Sequence, residues 1–197
     1  MARAKKEPLE TYREMRDFSL TREPRGKTPR RAATKKRSRK PKALSFVVQE
    51  HHARRLHYDF RLELDGVLLS WAVPKGPSLE PGVKRLAVQT EDHPLEYGNF
   101  EGEIPQGEYG GGTVKIWDKG AWAPLGDARE GLERGRLSFV VYGDKLRGAF
   151  HLVRSNSSEK TSRRKAASNW LLIKSHDGQP AARPAAKKRA SRASAAQ

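Results

Sequence analysis

The sequence predicts an all-β protein, a small antiparallel β-barrel of about eight strands with disordered basic N- and C-terminal extensions. Three observations predict it. Short runs of alternating or continuous apolar residues recur from Leu44 to Lys174, separated by Gly, Pro and Asp turns. Helical patterning is confined to two short stretches. The charge is also unevenly placed: residues 1–42 carry 16 Lys/Arg against 5 Asp/Glu, residues 43–155 carry 14 against 16, and residues 156–197 carry 10 against 2. The net charge of +17 in 197 residues therefore comes from the ends, around a nearly neutral centre.

Taken in order, residues 1–24 form an N-terminal segment in which Glu10–Phe18 can make a short helix or turn. Arg25–Lys42 follows with ten basic residues and no acid. Such a segment cannot bury enough surface to offset the entropy of ordering its backbone, so a flexible arm is expected over 25–42. A barrel domain is expected over 43–175, with strands at Leu44–Gln49, Leu56–Leu64, Val67–Val73, Arg85–Thr90, Gly112–Trp117, Arg136–Tyr142, Gly148–Val153 and Trp170–Lys174. Asp65-Gly66 is a two-residue hairpin signal between the second and third of these, and Tyr142-Gly143-Asp144-Lys145 marks another tight turn. Asp127–Arg134 is the helical stretch inside the domain. Residues 156–168 read as a polar, flexible insertion, and 176–197 as a basic disordered tail.

Several classes are excluded or disfavoured. With no cysteine, the chain has no disulfide, no thiolate zinc site and no thiol nucleophile. No stretch approaches the roughly 20 apolar residues of a membrane span, and the N-terminus lacks the apolar centre of a signal peptide. A cytoplasmic, nucleoid-associated protein without a membrane partner is the expectation. Basic ends on a neutral core attract polyanions by counterion release, with little dependence on sequence. Solubility tails are the plainer alternative. Nothing in the chain fixes an oligomeric state.

The segment Leu56–Leu64, LHYDFRLEL, alternates strictly. In a strand, Leu56, Tyr58, Phe60, Leu62 and Leu64 share one face, and His57, Asp59, Arg61 and Glu63 share the other. Ligand-type side chains at i and i+2 lie roughly 6 to 7 Å apart, close enough to converge on one cation, and the following Arg can meet an anion beside it. The ordinary alternative is an amphipathic strand with a solvated face. An imidazole, a carboxylate and a guanidinium in one row, with His51 and His52 just upstream to offer a further ligand, favour a metal-assisted phosphate site. The run Gly102–Gly112 lacks the Gly-Lys-Ser/Thr ending of a phosphate-binding P-loop and is read as a tight turn of the barrel. Lys75 in a Pro/Gly turn, Lys84-Arg85, and His93 with Tyr97 are singly weak signals that gain weight from standing at the ends of neighbouring strands.

These residues resemble a known family. Gln49-x-His51 with Leu56–Glu63, then Ser70–Gly76, Glu91–Leu95 with Tyr97, and Phe100-Glu101-Gly102-x-Ile104-Pro105 are similar, in one order from about Tyr12 to Lys174, to the 3′-phosphoesterase module of bacterial DNA ligase D. The resemblance implies a β-barrel enzyme that uses manganese to resect a 3′ end bearing ribonucleotides. Such enzymes act first as a phosphodiesterase and then as a 3′-phosphomonoesterase. It implies His51, His57 and Asp59 as metal ligands, and Arg61, His93 and Tyr97 as phosphate-contacting and catalytic groups. Lys75, Arg85 and Gln49 are implied in support, and Arg16-Asp17-Phe18 with Glu23 match a segment that packs near the site.

The implied partners are DNA or mixed RNA–DNA primer–template ends and end-joining repair proteins. Mixed N/O ligation without sulfur suits manganese, but cobalt, zinc or nickel would bind it too, so the choice of Mn2+ rests on the resemblance. Glu50 stands where a basic residue is common and Glu108 where a His is frequent, and either acid can weaken anion binding or alter metal preference. Two rival readings are a non-catalytic basic nucleic-acid-binding barrel, and an esterase for small phosphorylated metabolites.

Overall fold

The computed structural model describes residues 7–26, 43–155 and 169–176. Most of the expected arm, the insertion at 156–168 and nearly all of the tail lie outside these residues. The described elements are helix α1 (Glu10–Glu14), strands β1 (Leu44–His52), β2 (Leu56–Leu64), β3 (Val67–Val73), β4 (Lys84–Gln89) and β5 (His93–Pro94), and a 3-10 segment (Leu95–Asn99). Then come β6 (Gly102–Ile104), β7 (Gly112–Pro124), α2 (Ala128–Glu133), β8 (Arg136–Gly143), β9 (Arg147–Arg154) and β10 (Asn169–Lys174).

Eight antiparallel strands run in the order β1-β2-β3-β4-β10-β9-β8-β7, and the pairing of β7 with β1 closes them into a barrel. Closure satisfies the backbone of every barrel strand on both sides. All eight expected strands are present. At the β2–β3 hairpin both turn residues take positive φ, 54° at Asp65 and 86° at Gly66, the mirror-image turn whose twist matches its strands. The β8–β9 turn is fixed by the buried Asp118 carboxylate, which accepts from the backbone N–H groups of Asp144 and Leu146 at 3.0 and 2.7 Å. Asp127 caps α2 by accepting from the N–H groups of Arg129 and Glu130.

Two strands outrun their expected ends, and two short ones are additional: β1 continues past Gln49 to His52. β7 runs to Pro124, past Asp118-Lys119-Gly120, which has the composition of a turn. Gly120 permits this because a side chain there would overlap the Tyr142 carbonyl oxygen of the paired strand. β5 and β6, at 2 and 3 residues, are too short to show a period.

The barrel interior is filled by Phe46, Val48, Phe60, Leu62, Trp71, Val73, Trp122, Phe139, Phe150, Leu152, Trp170 and others, all buried. A second apolar cluster of Tyr12, Leu68, Tyr97, Phe100, Ile104 and Val114 docks the N-terminal segment, the 3-10 segment and β6 onto the outside of the barrel. The molecule thus has an interior core and an outer one. Between the outer core and the strands β1 to β3 lies the polar constellation.

Candidate active site

Inward Phe60 and Leu62 leave Asp59 and Arg61 on the outer face of β2. Register then supplies their neighbours: β1 sets Gln49 opposite Asp59 and His51 opposite His57, and β3 sets Ser70 opposite Arg61. Directly opposed side chains are close enough to interact, so three strands present one polar patch.

Backbone carbonyls fix the two imidazoles. His51 Nε2 is 2.8 Å from the Gly110 oxygen and His57 Nδ1 is 3.0 Å from the Arg55 oxygen. Because a carbonyl only accepts, these nitrogens carry protons, and in the neutral ring the other nitrogen keeps its lone pair. The lone pairs, on His51 Nδ1 and His57 Nε2, stand 3.5 and 3.7 Å from the Asp59 carboxylate. The three ligand atoms lie within 4.8 Å of one another, and the group could hold a metal ion. Three electron-pair donors facing each other make a pocket whose electrostatics call for a cation.

Beneath Asp59 lies Arg61, only 2% exposed. Its Nη2 donates to Asp59 Oδ2 at 3.1 Å, its Nε to Gln49 Oε1 at 2.8 Å and its Nη1 to Ser70 Oγ at 2.7 Å. Gln49 is in turn fixed by donating to the Tyr97 and Phe100 carbonyls at 3.1 and 2.9 Å. Burial pushes the Asp59 carboxyl up and the Arg61 guanidinium pulls it down, and the net direction is below its ordinary range. Asp59 is therefore a fixed anion.

The opposite wall comes from the β4–β5 connection and the N-terminal segment. His93 Nδ1 is 2.9 Å from the Glu91 carbonyl oxygen, which places the proton there and leaves the Nε2 lone pair to accept from Arg16 Nη2 at 3.2 Å. Burial, then the charges of Arg61 and Arg16, push the His93 pKa well below its ordinary value, so the ring is neutral. Arg16 also donates to Glu91 Oε1 at 3.0 Å and to Glu23 Oε1 at 2.9 Å, and lies 4.0 Å from the centre of the Tyr12 ring. Burial raises the Tyr97 pKa well above its usual value, so its phenol keeps its proton. A cavity of about 250 Å³ joins Arg16, His51, His57, Asp59, Arg61, Thr90, Glu91, His93 and Tyr97.

Of the nine residues singled out in the sequence, the structure gathers His51, His57, Asp59, Arg61, His93 and Tyr97 around this cavity, and places Gln49 behind it as a brace. Lys75 and Arg85 are elsewhere. Lys75 is exposed in the turn after β3 and does not line the cavity. Arg85 shares the inward face of β4 with the core residue Ala87, on the other side of the sheet from Asp59. Glu50 likewise turns away from His51, meeting His52 Nε2 at 2.5 Å and the Tyr58 hydroxyl at 3.4 Å. The Gly-rich run does form the β6–β7 turn, and through Gly110 it also orients a ligand imidazole.

Ser70, Glu91 and Thr90 received no role from the sequence. Ser70 was findable: a two-residue turn at Asp65-Gly66 fixes the register that sets it opposite Arg61. Glu91 depends on Arg16, which is 75 residues away in the chain, and no local pattern announces that contact.

The sequence profile of the DNA Ligase D 3′-phosphoesterase domain matches residues 49–154. The chain belongs to this family. Over 172 residues it is 56% identical to the multifunctional non-homologous end joining protein LigD of Pseudomonas aeruginosa, covering 87% of this chain and 19% of that protein. It is 47% identical over 151 residues to the multifunctional non-homologous end joining DNA repair protein LigD of Mycobacterium tuberculosis, covering 75% of this chain and 18% of that one. The chain thus spans about a fifth of the length of these relatives. All nine candidate residues fall inside the stretch matched by the 3′-phosphoesterase family.

Proposed function

We propose that this protein is a metal-dependent 3′-end-healing phosphoesterase that removes 3′-ribonucleotides and 3′-phosphates from primer strands during DNA repair. The observation that carries the proposal is the orientation of His51 and His57. One nitrogen of each ring donates to a backbone carbonyl, so in the neutral ring the lone pair of the other is turned toward a fixed carboxylate. Such outer hydrogen bonds set the tautomer of metal-ligating histidines. The residues therefore fit a divalent cation, with His51 Nδ1, His57 Nε2 and the Asp59 carboxylate to hold it. A divalent ion there supplies Lewis-acid polarisation of a phosphoryl oxygen and activation of water. Family membership makes manganese the proposed ion.

The protein's own groups define the remaining chemistry. Arg16 and Arg61 line the cavity as cations and favour an anionic substrate group between them. Arg61 has five N–H groups, of which Gln49, Ser70 and Asp59 take three. The protonated Tyr97 phenol is a hydrogen-bond donor in the same wall. Neutral His93 presents one lone pair, at Nε2, and so accepts a hydrogen bond or a proton and adds no positive charge. Glu23 and Glu91 hold the Arg16 guanidinium in position.

The test is a 5′-labelled primer–template whose primer ends in two ribonucleotides, incubated with and without Mn2+, with products resolved by their 3′ ends. Manganese-dependent shortening followed by conversion of a 3′-phosphate to a 3′-hydroxyl is expected. Retention of the intact primer at saturating metal, with tight binding to it, would instead establish a non-catalytic binder.

A further inference from the structure

A second, wider cavity of about 730 Å³ opens beside the first. The two share Ala53, His57, Tyr109 and Gly110, so they form one continuous depression. Its walls are the β1–β2 turn, with Arg54 and Arg55, and the loop from Gln106 to Gly112. We propose that this groove seats the backbone phosphates of the substrate strand immediately upstream of its 3′ end, with Arg54 and Arg55 as positioning residues. The inference rests on the function proposed above and names where its polymeric substrate lies.

Three features carry it. A strand whose terminal phosphate occupies the inner cavity must leave through an opening, and the inner wall opposite is filled by the Arg16–Glu91–His93 network. Arg54 and Arg55 are both exposed, and no ion pair occupies either guanidinium among the described residues. Elsewhere in the site, Arg16 and Arg61 are each spent on carboxylates. Free guanidinium groups at a cavity mouth are suited to phosphate oxygens, which they can grip bidentately.

The Gly-lined wall leaves no side chains in the path at Gly107, Gly110, Gly111 and Gly112. Gly112 must remain small, since a Cβ there would overlap the His52 carbonyl oxygen. The turn also touches the chemistry directly, because the Arg55 carbonyl oxygen accepts the His57 ring proton. Glu108 lines the groove as its one carboxylate. It opposes phosphate and marks where a substitution should strengthen binding.

The test uses the full chain with three variants: Arg54→Ala with Arg55→Ala, the corresponding Lys pair, and Glu108→Gln. Fluorescence anisotropy of a labelled primer–template, read without metal from low to moderate salt, gives binding and its salt slope. Losing two duplex phosphate contacts should lower the log–log slope by about 1.8, or by about 1.4 if the segment is single-stranded. The Lys pair should restore the slope, and Glu108→Gln should tighten binding. With Mn2+, the Ala pair should raise KM on a 12-mer bearing a 3′-phosphate far more than on a nucleoside 3′-monophosphate, which has no upstream phosphate. A wild-type slope in the Ala pair, equal KM effects on both substrates, or no restoration by the Lys pair would overturn the assignment. Absence of phosphate release by the wild type would sink the proposed function, while the anisotropy slopes would still decide the groove.

Discussion

Replacing Arg61 should damage the protein's stability as well as its activity. Arg61 is 2% exposed and its guanidinium holds three acceptors, Asp59 Oδ2, Gln49 Oε1 and Ser70 Oγ, at 3.1, 2.8 and 2.7 Å. Arg61→Met removes the donors and leaves a buried carboxylate without its main counter-charge. Breaking a buried pair from one side costs about 3 to 5 kcal/mol. For a chain of this size each kcal/mol shifts Tm by about 2 to 4 °C, so a fall of roughly 6 to 20 °C is expected. Removing both members, as Asp59→Asn with Arg61→Met, should recover part of the loss, since no uncompensated charge then remains. Thermal unfolding of the metal-free proteins by circular dichroism gives these values. Manganese titration followed by electron paramagnetic resonance should show metal affinity down about 10- to 100-fold in Arg61→Met, as expected when the group orienting a ligand carboxylate is lost. A Tm within 2 °C of wild type (about 1 kcal/mol or less), or a double variant less stable than Arg61→Met alone, would refute the buried-brace reasoning.

Other outcomes follow from the same geometry. His57→Ala and Asp59→Ala should each abolish Mn2+ binding and metal-dependent 3′ processing, which calorimetric metal titration checks directly; His57→Ala should cost about 0.5 to 3 kcal/mol of stability, and Asp59→Ala about 3 to 5 because it leaves the buried Arg61 unpaired. Arg61→Ala should reduce kcat more than Lys75→Ala, because Arg61 lines the cavity and Lys75 does not; steady-state kinetics on a 3′-phosphate end decides it. The pKa of Asp92 is pushed up to about 6 by burial and then by Glu91. A carboxyl raised in the folded state costs stability above that value and costs nothing below its unfolded value near 3.8. Asp92→Asn should therefore stabilise the protein at pH 7.5 by up to about 3 kcal/mol, with the gain fading as pH falls from 6 toward 4, as urea unfolding across that range would show. Deleting residues 27–42 and 181–197 should leave kcat on a short saturating oligonucleotide nearly unchanged while flattening the salt dependence of KM, at roughly 0.7 to 0.9 per lost phosphate contact. Coincident slopes would assign the basic ends to another task.

The barrel strands and one face of the site are legible along the chain. Alternation in Leu56–Leu64 separates core from ligand residues because side chains alternate faces along a strand, and that periodicity is local. The Asp65-Gly66 turn is similarly local, and it carries Ser70 to Arg61 without further information. The rest depends on how the barrel closes. That the ligand row faces outward, under its own apolar cluster, depends on which face each strand turns to the closed barrel. Arg85 illustrates the consequence: it looks like an anion-binding residue in the chain, yet its register against Leu172 and its shared face with Ala87 turn it inward. The opposite wall is less legible still, because Arg16 reaches Glu91 across 75 residues and His93 owes its neutral state to burial, and then to Arg61 and Arg16. A pattern along one strand can reveal which groups share a face, but which groups share a cavity is set by chain closure and burial, and these act between segments that the sequence keeps far apart.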